Sequence, residues 1–257
     1  RAYDQTTFIV YEDESYTFQE VYAAADGLAA ALVERYGVQK GDRVAIAMRN
    51  YPEWVMTYVA ALSVGAVVVS MNAWWTAEEL EYGLRDSTPT VLVADAERVD
   101  RTRDATGALG VATVGVRLAG DAPSGVDRWE DVVVPGATRP DVAVGPDDDA
   151  TILYTSGTTG HPKGAVSTHR AIIQALMGFS CKVAIDGLRR PEEATGSTGA
   201  PVFILIVPLF HVTGAVPVML GALASGLKLV MLYKWDPERA LQLIERDGDL
   251  LAVVAAD

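Results

Sequence analysis

An α/β fold of mainly parallel sheets, with helices on both faces, is predicted by three features of the sequence. Short apolar runs alternate with segments of helical spacing along most of the 257 residues. Most connections between them are brief and marked by Gly, Asp or Asn, which implies right-handed crossovers between parallel strands. Half of the residues are hydrophobic and 21 % are charged, enough apolar material to bury a substantial core.

Taken in order, Phe8 to Tyr11 reads as a strand that turns at Asp13-Glu14-Ser15. Thr17-Phe18-Gln19-Glu20 has the form of a capping box, and the helix after it places Val21, Ala25, Leu28 and Leu32 on one side. Gly37 and Lys40-Gly41-Asp42-Arg43 end that unit, and Val44 to Met48 is an apolar run of the kind found in buried parallel strands. Asn50 is placed to cap a helix through Trp54, Val55, Tyr58 and Leu62, followed after Gly65 by a strand at Val67 to Ser70. Thr76-Ala77-Glu78-Glu79 is a second capping box, whose helix leads to a strand at Thr90 to Val93. The chain then loosens from Ala105 to Asp149 around one strand at Val111 to Val116. Beyond it come strand Ala150 to Tyr154, a helix from about Thr168, strand Val202 to Val207, a helix at Ala215 to Ala224 and strand Leu227 to Leu232. A final helix starts at Asp236-Pro237, where the missing proline N–H costs nothing. A junction near Pro146 is expected to divide an N-terminal subdomain, 1–146, from a second one, 147–257.

The net charge of −13 repels a phosphate backbone and argues against general nucleic-acid binding, so any anionic ligand must be held by local donors. One cysteine, Cys181, closes no internal disulfide, and three scattered histidines offer no Cys/His metal cluster; a reducing, cytoplasmic setting is expected. No signal peptide is legible at the start. Ala194 to Leu227 lacks charged residues, but Pro201, Pro208, His211, Gly214 and Pro217 break it into pieces shorter than a span requires, so no transmembrane segment is expected. The Asp147-Asp148-Asp149 run reads as a solvated linker, and no metal ligand is assigned to it.

One segment carries chemistry. The strand ending at Tyr154 runs into Thr155-Ser156-Gly157-Thr158-Thr159-Gly160-His161-Pro162-Lys163-Gly164, a loop of hydroxyls, glycines and one lysine. Gly157, Gly160 and Gly164 let the main chain take φ > 0 and bring its N–H groups close to a ligand, the hydroxyls of Thr155, Ser156, Thr158 and Thr159 add donors, and Lys163 supplies positive charge. A polyphosphate is the anion that needs so many donors in one place. The spacing fits neither a Walker A loop nor G-x-G-x-x-G. Ligands of parallel α/β sheets collect beyond the carboxyl ends of the strands, where this loop would sit.

TSGTTGHPKG, preceded by Leu153-Tyr154 and followed by Thr168-His169, resembles the signature of the adenylate-forming superfamily. Pro208-Leu209-Phe210-His211-Val212-Thr213-Gly214 looks like that family's substrate-pocket motif, and Met71 to Leu80, MNAWWTAEEL, like a segment common in its fatty-acyl-CoA ligases. The resemblance implies the layered N-terminal region of such an enzyme. It further implies ATP with Mg²⁺ and coenzyme A as co-substrates, and attack of a carboxylate, here that of a fatty acid, on the α-phosphate. Carried over by position, Thr155, Ser156, Gly157, Thr158, Thr159, Gly160, Lys163 and Gly164 would hold the β- and γ-phosphates. Lys163 and Thr155 would act in the reaction, and His211, Thr213 and Gly214 would border the acid. Trp74, Trp75 and Trp235 are weaker tunnel candidates, with at least one of the first pair expected in the core. A long-acyl substrate would favour transient membrane contact.

The resemblance stops at Asp257, where LLAVVAAD departs from the family pattern, and the start reads as incomplete. The family's magnesium-holding acid, ribose-binding Asp, hinge and C-terminal domain with its Lys are expected to be missing from this chain, which by itself should bind ATP weakly and not turn over. Aryl- or amino-acid activation, or a non-catalytic nucleotide-binding module, are the competing expectations. Acyl length and oligomeric state are not legible.

Overall fold

The computed structural model of the chain describes residues 3–155, 160–189, 202–247 and 250–252. The chain divides into two compact units, one comprising Glu20–Arg49 and Glu53–His169, the other Arg1–Gln19, Asn50–Pro52 and Arg170–Asp257.

In the first of these, seven strands among the described residues form one sheet: β3 (Arg43–Ala47), β4 (Val67–Ser70), β5 (Val91–Asp95), β6 (Ala112–Val116), β7 (Val126–Arg128), β8 (Asp149–Tyr154) and β9 (Gly164–Thr168). Their order is β7-β6-β5-β3-β4-β8-β9, parallel throughout except for the β8–β9 pair. Ala45 lies opposite Val69 on one side and Leu92 on the other, and Val69 lies opposite Ile152. Central strands β4 and β5 are buried at every residue, the physical reason that they read as unbroken apolar runs. Ala45, Val69 and Leu92 pack with Leu80 and Leu84 of α3 (Ala77–Ser87) and Val99 of α4 (Ala96–Leu109). The alternate residues Val44, Ile46, Val68 and Val93 are fully buried on the opposite face.

Local signals set the helix ends in this unit. The Thr76 side chain accepts from Glu79 N while the Glu79 carboxylate accepts from Thr76 N, completing the predicted capping box of α3. Asp95 caps α4 by accepting from Arg98 N. The acidic run is more than a solvated linker: Asp148 pairs with Lys40 at 2.6 Å and accepts from Gly145 N, and Asp149 opens β8.

The other unit holds a second sheet, ordered β12-β10-β11-β1-β2, from β1 (Thr7–Tyr11), β2 (Glu14–Thr17), β10 (Val202–Leu205), β11 (Lys228–Met231) and β12 (Leu250–Ala252). Only the β1–β2 hairpin is antiparallel; Val10 lies opposite Val230, which also faces Ile204. Phe18 and Gln19, opening α1 (Phe18–Glu34), donate their N–H groups to Thr6 O and Asp4 O, so two of the helix's first N–H groups are satisfied by backbone carbonyls. Asn50 is not the predicted cap of α2 (Pro52–Ser63): its amide donates to Val207 O at 3.1 Å and its Oδ1 accepts from Leu209 N at 2.9 Å.

After the short α5 (Trp129–Val132) of the first unit, helix α6 (His169–Arg189) exposes Ile173, Met177, Val183, Ile185 and Leu188, and among the described residues it is the one helix long and apolar enough to cross a membrane by length and composition. Helix α7 (Gly214–Ser225) opens as a π-helix over Gly214–Leu220, which contains Pro217, a residue without the N–H an α-helix needs there. Helix α8 (Pro237–Asp247) begins with the predicted proline.

The division differs from the expected one at 146/147. Strand β8 completes the sheet of the earlier strands beside β4, while β1 joins the sheet of the later strands beside β11. A parallel strand finds its place by which apolar face it covers, not by its order along the chain.

Candidate nucleotide-phosphate site

Because β3 to β8 run parallel, their carboxyl ends share one edge of the sheet, and the predicted loop leaves from there as the connection of the β8–β9 hairpin. Tyr154 pairs with Gly164 at its neck. The Thr155 N–H donates to Lys163 O at 3.0 Å, and the Thr155 hydroxyl points to the same carbonyl at 3.4 Å. Thr155 therefore closes the loop, while the side chains of Thr155 and Lys163 lie exposed. Ser156, Gly157, Thr158 and Thr159 lie outside the described residues.

The glycines differ in what they supply. Gly160 has φ +142°, a conformation side chains rarely adopt, with open space where a Cβ would stand. Gly164 was expected to serve through left-handed freedom, yet it takes no positive φ. A Cβ on it would sit 2.8 Å from Ile152 Cγ2 and 3.6 Å from the Tyr154 ring, so the hairpin needs its small size.

Helix α3 supports the loop. The Tyr154 hydroxyl donates to Asp86 Oδ2 at 2.7 Å and lies 3.4 Å from Gly83 O; burial and the Asp86 carboxylate push its pKa well above the ordinary tyrosine value. Trp75 packs edge-on against the Tyr154 ring at 5.3 Å. Of the two tryptophans proposed for a tunnel, Trp75 is 7 % exposed and belongs to the core, whereas Trp74 is 53 % exposed with the Arg49 guanidinium over its ring. Trp235 is also exposed.

Sequence reasoning missed a buried pair at the same edge. Arg98 binds both Asp95 oxygens through Nη1, at 2.9 and 3.0 Å, and donates from Nε to Ala73 O at 2.8 Å; Asp95 Oδ2 also accepts from Arg49 N. The pair thus joins the segments that follow β3, β4 and β5. Its residues sit in a charged stretch, Asp95-Ala96-Glu97-Arg98-Val99-Asp100-Arg101, where a buried arginine looks like any surface one.

The predicted acid-binding residues lie in the other unit, on the turn between β10 and α7. His211 N donates to Pro208 O and Ala215 N to His211 O, both at 3.1 Å. Gly214 is indispensable to this turn, since a Cβ there would lie 2.4 Å from Pro208 O. The His211 imidazole is tilted against Phe210 at 4.6 Å, and partial desolvation holds its pKa below the ordinary histidine value. Thr213 is half-buried at the start of α7. Asn50, the residue that braces Val207 and Leu209, was legible only as a helix cap, because its partners are more than 150 positions away.

Helix-flanked, mainly parallel sheets place the chain among the N-terminal domains of adenylate-forming enzymes. A crystal structure from Rhodopseudomonas palustris CGA009, assigned as a long-chain-fatty-acid CoA ligase, matches with a TM-score of 0.82 and 27 % identity over 98 % of this chain and 60 % of its own. ATP-bound MatB from Rhodopseudomonas palustris matches with a TM-score of 0.75 and 28 % identity, over 93 % of this chain and 44 % of its own. The chain belongs to the AMP-binding enzyme family, whose sequence pattern matches residues 1–248. Among curated relatives, 4-coumarate–CoA ligase 3 of Oryza sativa subsp. japonica is 32 % identical over 93 % of this chain, and a long-chain-fatty-acid–CoA ligase of Mycobacterium tuberculosis is 30 % identical over 91 %. The chain spans 41 % and 44 % of those two proteins.

Proposed function

We propose that the protein activates a carboxylic acid, a fatty acid in the first instance, by forming an acyl-adenylate from MgATP and then transferring the acyl group to coenzyme A. In the first half, a carboxylate oxygen bonds to the α-phosphorus as the bond to the β-phosphate oxygen breaks, releasing pyrophosphate. In the second, the thiol sulfur attacks the acyl carbon and AMP leaves. Neither half needs a nucleophile from the protein. The first half brings two anions together, so neutralisation and alignment are the protein's main contributions.

The observation that carries this reading is the loop closed by Thr155 and Lys163 at the carboxyl edge of a parallel sheet, with the Lys163 ammonium exposed in a chain of net charge −13. Lys163 is assigned to the β- and γ-phosphates and the departing pyrophosphate, together with Thr155, Gly160 and Gly164 and with Ser156, Gly157, Thr158 and Thr159. His211, whose partial desolvation disfavours the charged imidazolium, is assigned with Thr213 and Gly214 to the wall beside the acid carboxylate. Mg²⁺ enters with the nucleotide.

Similarity to a 4-coumarate–CoA ligase favours a second reading, an aryl acid as substrate. ATP–pyrophosphate exchange by the protein in its full natural chain, driven in parallel by a long-chain fatty acid and by a hydroxycinnamate, decides between them. In the same assay Lys163→Ala is expected to lower exchange by about tenfold or more, the scale of one charge-assisted contact to a phosphate. Unchanged exchange in that variant refutes the phosphate assignment.

A further inference from the structure

Tyr82, on the second turn of the sheet edge's supporting helix α3, has no part in the site assigned above, yet it touches the loop at two points. Its ring lies face to face with the His161 ring, centroids 4.5 Å apart and planes 16° apart, and its hydroxyl donates to Pro162 O at 3.2 Å. On the same helix, Gly83 O and the Asp86 carboxylate face the Tyr154 hydroxyl. One helix thus grips both limbs of the hairpin, Tyr154 on the way in and His161-Pro162 on the way out, directly before Lys163.

The helix is itself held firmly. Its first turn carries the Thr76–Glu79 capping box, and Gly83 packs so closely on Trp75 that a Cβ would lie 2.9 Å from the indole. Arg101 Nη1 donates to Trp75 O at 2.8 Å, fixing the backbone of the residue whose ring meets Tyr154. A glycine-rich loop loses conformational freedom at every residue that becomes fixed when a ligand binds. Limbs that are already fixed reduce that cost and tighten binding.

We propose that Tyr82 is a positioning residue for the nucleotide phosphates: by stacking on His161 and bonding Pro162, it sets the height and direction from which Lys163 and Gly164 meet the triphosphate. Tyr82 touches no phosphate. The inference rests on the phosphate-loop reading, which Lys163→Ala tests separately.

The test is calorimetric titration of MgATP, and of AMP as the probe lacking β- and γ-phosphates, into the protein in its full natural chain. Tyr82→Phe keeps the stack and loses the hydroxyl, and is expected to weaken MgATP binding about two- to fivefold. Tyr82→Leu loses both contacts and should weaken it about tenfold, with AMP affinity held within about twofold. His161→Leu, an exposed change on the other side of the stack, should reproduce much of the loss, and His161→Phe should recover it. The proposal is overturned if Lys163→Ala weakens MgATP binding while Tyr82→Leu and His161→Leu do not. Equal weakening of MgATP and AMP in the Tyr82 variants overturns it as well, because a general loosening of the fold moves both. If Lys163→Ala leaves MgATP binding unchanged, the phosphate-loop reading fails and the positioning role fails with it.

Discussion

Replacing Arg98 with methionine tests the most exacting electrostatic feature of the fold. Arg98 is 1 % exposed and Asp95 3 %. Methionine keeps much of the arginine's apolar stem but removes the guanidinium that binds both Asp95 oxygens and Ala73 O. The carboxylate would then retain two backbone donors, Arg49 N at 3.0 Å and Arg98 N at 3.1 Å, while remaining buried with its charge unbalanced. Breaking a buried pair from one side costs about 3–5 kcal/mol, and the two remaining donors place this case near about 3. Trp54, Trp74, Trp75 and Trp129, four of the five tryptophans, lie in the unit that contains the pair, so urea unfolding followed by tryptophan fluorescence reports on it directly. Adding Asp95→Asn removes the second charge and keeps a capping side chain, so the double variant should be more stable than Arg98→Met alone. A loss below about 1 kcal/mol for Arg98→Met, or a double variant as unstable as the sum of the singles, refutes the reasoning.

Further outcomes follow at two positions, Tyr58 and Gly214. The Tyr58 hydroxyl is buried without a hydrogen-bond partner among the described residues, so Tyr58→Phe should raise stability by roughly 1 kcal/mol in the same urea titration; a loss would reveal a partner for the hydroxyl. Burial also raises the Tyr58 pKa above its ordinary value of 10.0, so its contribution is complete below that pH and is lost as alkalinity ionises the unfolded chain; Tyr58→Phe should flatten the fall in stability above about pH 10. At Gly214 a Cβ would meet the Pro208 carbonyl at 2.4 Å, backbone that cannot swing aside, so Gly214→Ala should cost about 1–3 kcal/mol. The same variant should reposition His211, detectable as a changed imidazole resonance, and an unaltered resonance with unaltered stability would refute the packing argument.

The chemistry-bearing loop was legible because everything that marks it is local. Glycines, hydroxyls and one lysine follow directly on the apolar run that ends at Tyr154, and the order of those residues needs no distant partner to be recognised. The Thr76–Glu79 capping box was equally legible, since its reciprocal bonds span one helical turn. Tyr82 and Asp86 were not, because a tyrosine and an aspartate on an amphipathic helix carry no mark that they will meet a loop some 70 to 80 positions later. Strand β9 was missed for another reason: as an edge strand it is largely exposed and has no apolar run to announce it.

Alternating strand and helix periodicity, the capping signals and the phosphate-loop motif belong to the sequence by itself, because each arises from interactions within a few residues. The partners of the strands belong to the tertiary structure. Strand β1 lies beside β11, some 220 positions away, and β8 beside β4, because the free energy of covering both faces of a sheet is minimised over the whole chain at once. The same long-range settlement turned Asn50 from a helix cap into a brace for the Pro208–Gly214 turn and buried Arg98 within a charged helix.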